Sequence, residues 1–160
     1  MASDIFAKIG DIKGESLDDK HKDQIEVLSW SWGLSNSGAR ATGSGGGSGK
    51  ASFQELTFTH KIDKASPALM KGCATGQHLK DALISGRRKS GKGQPDFLII
   101  KMSDVIITAV TDGDSEEGGE FETVTLAFAK VDLEYRPQKA DGSLDPGIHF
   151  KYDLKTNKGG

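Results

Sequence analysis

The chain has 160 residues, a net charge of -2 and one cysteine, Cys73. That length suits a single compact domain whose core needs no cross-links. The charge balance gives no drive toward nucleic acid or anionic membranes, and a lone cysteine excludes an internal disulfide framework or a thiolate metal cluster. No cofactor, metal or nucleic acid is expected. Met1 to Gly10 shows no basic region, long apolar run or cleavage pattern, so no signal peptide is expected. No segment has the length of a membrane span, and membrane insertion is not expected either. Many of the 21 glycines fall between strand signals, so the chain reads as strands joined by permissive turns.

In chain order, Ile5, Ala7 and Ile9 alternate with Asp4, Phe6 and Lys8 and predict a first short strand. A second, about 25–36, places Leu28, Trp30, Trp32 and Leu34 on one face and Val27, Ser29, Ser31 and Gly33 on the other. One face is bulky and the other nearly stripped of bulk, a pattern suited to lining a groove or channel. The glycine-rich stretch from Asn36 to Lys50 follows. Leu56, Phe58, His60 and Ile62 then set a third strand.

Ser66 as N-cap, Pro67 at the first helical position and Gly76 as terminator predict one helix, about 66–76, with Leu69, Met70 and Cys73 on one face. It reads as a cover over an open end or side of a barrel. A weaker strand signal spans 80–89. Residues 97–102 and 105–110 are apolar on both faces, with Asp104 at a bend or bulge between them. In 121–136, Val124, Leu126 and Phe128 set one apolar phase and Val131, Leu133 and Tyr135 the other, so a one-residue slip is expected near Ala129. Ile148, Phe150, Tyr152 and Leu154 alternate as a last half-buried strand.

Chemical motifs fail one by one. Ser44 to Ala51 resembles a phosphate-binding loop, but Ser44 stands where glycine belongs, Ala51 replaces the metal-binding hydroxyl, and a strand follows instead of a helix. The acidic run of Asp112, Asp114, Glu116, Glu117 and Glu120 lacks the glycine and the bidentate glutamate of a calcium loop and reads as a solvated hairpin. Arg87, Arg88, Lys89 and Lys92 form a basic turn without interleaved aromatics. Arg87 and Arg88 against Asp112 and Asp114 are candidate charges for head-to-tail stacking of copies. The four histidines have no metal-ligand spacing, and His60 reads as a hydrogen-bonded core residue. Cys73 reads as packing, and no nucleophile elbow or triad order appears, so an enzyme is not expected.

Several segments, taken in order, resemble the haemolysin-coregulated protein (Hcp) family, tube proteins of bacterial type VI secretion. They are Asp4-Ile5-Phe6-Ala7-Lys8-Ile9-Gly10-Asp11-Ile12-Lys13-Gly14-Glu15-Ser16, Trp30-Ser31-Trp32-Gly33 with its glycine-rich extension, Leu56-Thr57-Phe58-Thr59 with Lys61-Ile62-Asp63-Lys64, Ser66-Pro67-Ala68-Leu69-Met70, and Val124 to Val131 through Tyr135 to Gly142. The similarity runs over essentially all of residues 1–160. It implies a small, closed or nearly closed β-barrel with one flanking helix and an extended loop at about 36–50. It further implies homo-hexameric rings that stack into a tube, carry small secreted effectors in the lumen and work with sheath and spike proteins. Such a protein passes from the bacterial cytoplasm to the outside through the machine itself. Carried onto this chain, Ser31 and then Ser29 would face lumen and cargo, while Gly38, Arg40, Gly45, Gly46, Gly47 and Lys50 would reach between subunits or rings. A monomeric barrel binding a small ligand and a hydrolase using Cys73 or a histidine are the rival readings.

Overall fold

A computed structural model describes residues 3–38, 51–88 and 95–159. Six strands close into an antiparallel barrel: β1 (Ser3–Ile9), β2 (Ile25–Ser31), β5 (Leu56–Lys61), β8 (Gly119–Tyr135), β7 (Asp96–Ser115) and β6 (His78–Arg88), which returns to β1. The two long strands make closure possible. The upper part of β8 pairs with β5 and its lower part with β9 (Ile148–Asp153), while β7 runs along its other edge throughout. A short β10 (Lys158–Gly159) follows β9, and β3 (Leu34–Asn36) pairs with β4 (Ala51–Phe53) at the base of the extension.

The interior is filled by side chains. Ile9, Ile25, Leu56, Phe58, Leu69, Ile100, Met102, Val124 and Leu126 are fully buried and form one cluster. The expected slip near Ala129 is present, and it spans three strands. In β8 the buried phase passes from Phe128 to Val131, in β7 from Met102 to Val105, and in β6 from Leu79 to Ala82. The three strands change face together, so Met102 still opposes Val131, and Val105 opposes Phe128 and Leu79. A slip in one strand alone would have turned its apolar row outward. Asp104 sits on this line with φ of 59°, a left-handed conformation inside an unbroken strand. Residues 97–110 therefore form one strand with a core face and an outer face, and the double burial expected there reduces to Ile100, Met102, Val105 and Ile107 on the core side.

The helix α1 (Ser66–Thr75) starts one residue earlier than expected. Ala65 holds the cap position without a side-chain cap, while Ser66 Oγ accepts the Asp63 N–H at 3.1 Å and Asp63 Oδ1 accepts the Ala65 N–H at 2.8 Å. Gly76 ends it in the left-handed conformation (φ 63°), which glycine adopts without a Cβ penalty. A Cβ on Gly72 would stand 3.1 Å from Ile107 Cδ1, so the absence of a side chain lets the helix settle onto the core. The buried face is Ser66, Leu69 and Gly72; Met70, expected on it, is exposed.

Candidate functional site: a hydroxyl-lined outer wall

The tryptophan strand differs from the expected pattern at Val27, Leu28 and Leu34. Val27 opposes His60 and Ser29 opposes Thr59, so Leu28 is an extra residue in a β-bulge. The bulge turns Val27 to the core side with Ile25 and Trp30 and leaves Leu28 exposed. The strand also ends at Ser31, so Leu34 belongs to the extension and is exposed as well. The parity beyond the bulge is as expected. Trp30 and Trp32 pack against the core cluster, and Ser29 and Ser31 are exposed on the outer face.

Following that outer face across the ladder gives a row of small hydroxyls. Ser29 opposes Thr59, Thr59 opposes Thr123, and Thr123 opposes Thr111; in the next row Ser31, Thr57, Thr125 and Ala109 follow one another. The Oγ1 atoms of Thr57 and Thr125 are 3.3 Å apart and those of Thr59 and Thr123 are 3.1 Å apart. Thr108, extra in a bulge between Ile107 and Ala109, donates its hydroxyl to the Thr125 carbonyl at 3.3 Å. These positions carry no charge and no bulk. Threonine suits them locally because a β-branched side chain fits the pleated surface and paired hydroxyls stabilise the ladder. Sequence reasoning found Ser29 and Ser31 and missed the threonines. Their signal was visible: Thr57 and Thr59 alternate with Leu56 and Phe58, as Thr123 and Thr125 do with Val124 and Leu126.

The wall is anchored at one margin by aromatics. The Trp32 ring lies 6.1 Å from Phe128 and 6.3 Å from Phe53, and Phe53 lies 4.6 Å from Tyr152. The Trp32 Nε1–H donates to the Gln54 carbonyl at 2.9 Å. The base of the extension is thereby held to β8 and β9. Gly38, exposed, donates its N–H to Asn36 Oδ1 at 2.7 Å. Arg40, Gly45, Gly46, Gly47 and Lys50 lie outside the described residues, as do Lys89 and Lys92.

Behind the wall, the core faces of β5 and β8 hold an ionisable pair. His60 Nε2 and Glu122 Oε1 are 2.8 Å apart and both side chains are fully buried. Burial, joined by the Asp112 carboxyl across the ladder, pushes Glu122 up to about 7; burial pulls His60 down. His60 is the hydrogen-bonded core residue expected of it, and its partner Glu122 was not anticipated.

The candidate stacking charges are spread over the fold. Arg87 bonds Asp18 and lies 3.4 Å from Asp4, while the Arg88 guanidinium sits 4.4 Å from the Phe97 ring centroid. Arg87 opposes Asp96 at the start of β7, and Asp112 and Asp114 are exposed at its far end. Beside Arg87, residues 14–24 strap the outside of β1. His21 stacks on Phe6 at 4.3 Å and places Nδ1 3.0 Å from Gln24 Oε1 and Nε2 3.0 Å from Asp96 Oδ1. Burial lowers the His21 pKa, but the Asp96 carboxylate and the second acceptor outweigh it and raise the pKa above the usual histidine value.

Comparison with known proteins places this barrel. The family model described as type VI secretion system effector, Hcp, matches residues 6–135. Protein hcp1 of Pseudomonas aeruginosa is 50% identical over 161 residues, covering 98% of each chain. The crystal structure of Hcp1 from Salmonella typhimurium is 40% identical, covers 99% of each chain and superposes with a TM-score of 0.80. A solved structure of a type six secretion system protein reaches a TM-score of 0.92 at 31% identity, over 99% of this chain and 100% of the other.

Proposed function

The chain belongs to the Hcp family of type VI secretion, a secreted and structural rather than catalytic protein, and from that premise we propose that it is the repeating subunit of the inner tube. Six copies form a ring, rings stack, and the uncharged hydroxyl wall of Ser29, Ser31, Thr57, Thr59, Thr123 and Thr125 lines the lumen. The carrying observation is that wall: four neighbouring strands, packed with bulk inside, present only small neutral side chains in the same two rows outside. A surface of that kind touches cargo without seizing it. Each subunit binds weakly, and the ring repeats the contact around one cargo, so retention comes from multivalency.

The subunit is made in the bacterial cytoplasm and leaves with the tube, driven by the sheath and in company with the spike. Small effectors travel in the lumen. The stretch from Gly38 through Arg40, Gly45, Gly46 and Gly47 to Lys50 reaches between subunits or rings. A barrel holding a small ligand inside it would need an open interior, whereas this interior is occupied by its own side chains.

Native mass spectrometry with negative-stain imaging tests the ring: a hexamer with an open centre is expected, and a monomer over a wide concentration range would overturn the reading. Ser31→Gln tests the wall. It is expected to leave the rings intact and weaken cargo retention. Loss of the rings with cargo still bound by the monomer would overturn the face assignment.

A further inference from the structure

Where the end of β5, the turn before α1 and the far part of the β7–β8 hairpin come together, the side chains of His60, Asp63, Asp112 and Glu122 meet. Glu122 is fully buried and places Oε1 2.8 Å from His60 Nε2. Its other oxygen, Oε2, is buried without a hydrogen-bond partner among the described residues. His60 Nδ1 is bare as well, 3.7 Å from Asp63 Oδ2 and so beyond hydrogen-bond reach. Buried polar atoms are paired almost without exception, because leaving one bare forfeits its bond to water. The arrangement around Oε2 therefore calls for a donor.

The ladder shows where it comes from. Asp112 stands directly opposite Glu122, and two residues further along Asp114 stands opposite Glu120. Like charges directly opposite one another work against the pairing. Asp112 reaches water, whereas Glu122 does not. Two ionised carboxylates only accept, so neither can complete the bond that Oε2 lacks. One proton can. Placed on Oε2 it is donated to Asp112, while the neutral His60 ring donates from Nε2 to Oε1. The same proton removes a negative charge from a site that Asp112 and Asp63 both face. The Ser66 hydroxyl at the start of α1 favours the ionised carboxyl, but burial and Asp112 outweigh it. Asp63 is itself tied to the helix, since its Oδ1 accepts the Ala65 N–H at 2.8 Å.

We propose that Glu122 and Asp112 share one proton and that this proton is a latch: with it the β7–β8 hairpin is held closed against His60 and the turn before α1, and without it that end of the barrel loosens. Opening follows from the geometry. When the proton leaves, Asp112 is free to turn toward solvent, but Glu122 is hydrated only if β7 and β8 part around it. Glu122 goes from about 4.5 when hydrated to about 7 when closed in, so the closed state holds a proton that the open state has lost. This tie is firm near pH 4.5 and fades as pH rises to about 7. The latch belongs to the single barrel and stands apart from the tube reading above.

Carbon-13 titration of the side-chain carboxyls in the full chain tests the shared proton. In Asp112→Asn the Glu122 midpoint is expected to fall by about one pH unit or more, because the amide carries no charge and donates to the ionised carboxyl. An unmoved midpoint would overturn the proposal. Hydrogen exchange reads the latch itself. Amides of 60–66 and 111–123 are expected to open more readily than those of Ile9, Ile84 and Ile100 in the core. Their protection in the parent, divided by that in Glu122→Gln, is expected to fall at least about tenfold from pH 5 to pH 7.5. Gln keeps a donor toward Asp112 at every pH, and the division removes the opposite titration of His60. A ratio flat with pH, or segments that open only together with the core, would overturn the latch. Should Glu122→Gln not fold, the Asp112→Asn titration decides alone, since Asp112 is exposed and its replacement leaves the core intact.

Discussion

The two faces of the β5–β8 ladder differ in almost every respect except their backbone. On the core side Leu56 opposes Leu126, Phe58 opposes Val124 and His60 opposes Glu122, all at or near zero exposure. One residue along in each case, the outer side carries Thr57 with Thr125 and Thr59 with Thr123. The inner face derives its stability from apolar area removed from water; the outer face contributes at most paired hydroxyls, each with a small net effect. One strand pair therefore does two jobs, and substitutions at neighbouring positions should separate them.

The largest effect is expected inside. Phe58→Ala should destabilise the barrel by about 3–5 kcal/mol, measured by chemical denaturation, because a close-packed interior collapses only partly around the hole. A cost below ~1 kcal/mol would break the contrast. Next comes the strap. His21→Ala removes a ring stacked on Phe6 and contacts to Asp96 and Gln24, and a loss of about 2 kcal/mol is expected. The raised His21 pKa gives this loss a sign. Stabilisation by the charged ring is complete below the ordinary histidine value and fades as pH rises through the higher folded value, so the parent's advantage should be larger at pH 5.5 than at pH 8.5.

Glu122→Gln sharpens the comparison from behind the wall. Glu122 titrates near 7 in the fold and near 4.5 when unfolded, so the folded state binds the extra proton between those values and this group's contribution falls as pH rises. The variant should gain stability relative to the parent as pH rises from 4.5 to 7. His60, lowered by burial, runs the other way in both proteins: its contribution is present above 6.5 and lost on acidification. A flat difference between variant and parent would refute the assignment. The smallest effect is expected outside: Thr125→Val should change stability by less than about 1 kcal/mol. A larger loss would mean that the outer hydroxyls hold the barrel together.

Two buried histidines teach a related lesson. His21 and His60 are 4% and 0% exposed, yet their pKa values move in opposite directions. His21 places both ring nitrogens 3.0 Å from oxygens, so the charged ring is the one its surroundings satisfy. His60 has one close partner, Glu122, which is itself held toward its neutral form, and its Nδ1 lies 3.7 Å from Asp63. Burial sets the cost of charge; the partners decide whether it is met.

How much could be read in the chain follows from what local patterns carry. Alternation located β1, β5 and the upper part of β8, because a half-buried strand writes its period directly into the sequence; it located β9 too, but Ile148 and Phe150, expected to be half-buried, are exposed at the margin of the sheet. The slip near Ala129 was legible because the apolar phase of one strand reverses there. The matching changes in β6 and β7 were not read, since the apolar run of 97–110 conceals its phase. The bulge at Leu28 was invisible, because a leucine beside two tryptophans reads as core until the pairing shows an extra residue. The threonine rows were missed for another reason: each strand shows only two polar positions, and only the ladder makes them a surface.

By itself, then, the sequence determined the barrel class, the helix with its left-handed glycine end, the outward direction of Ser29 and Ser31 and the family, all of which rest on local periodicity, turn chemistry and ordered motifs. Tertiary structure alone decided that Thr57, Thr59, Thr123 and Thr125 join those serines, that Glu122 lies buried against His60, and that Arg87 is spent on Asp18 and Asp4. The physical reason is the same each time. These relations cross strands far apart in the chain, and register, which sets who faces whom, is a property of the closed sheet rather than of any one strand.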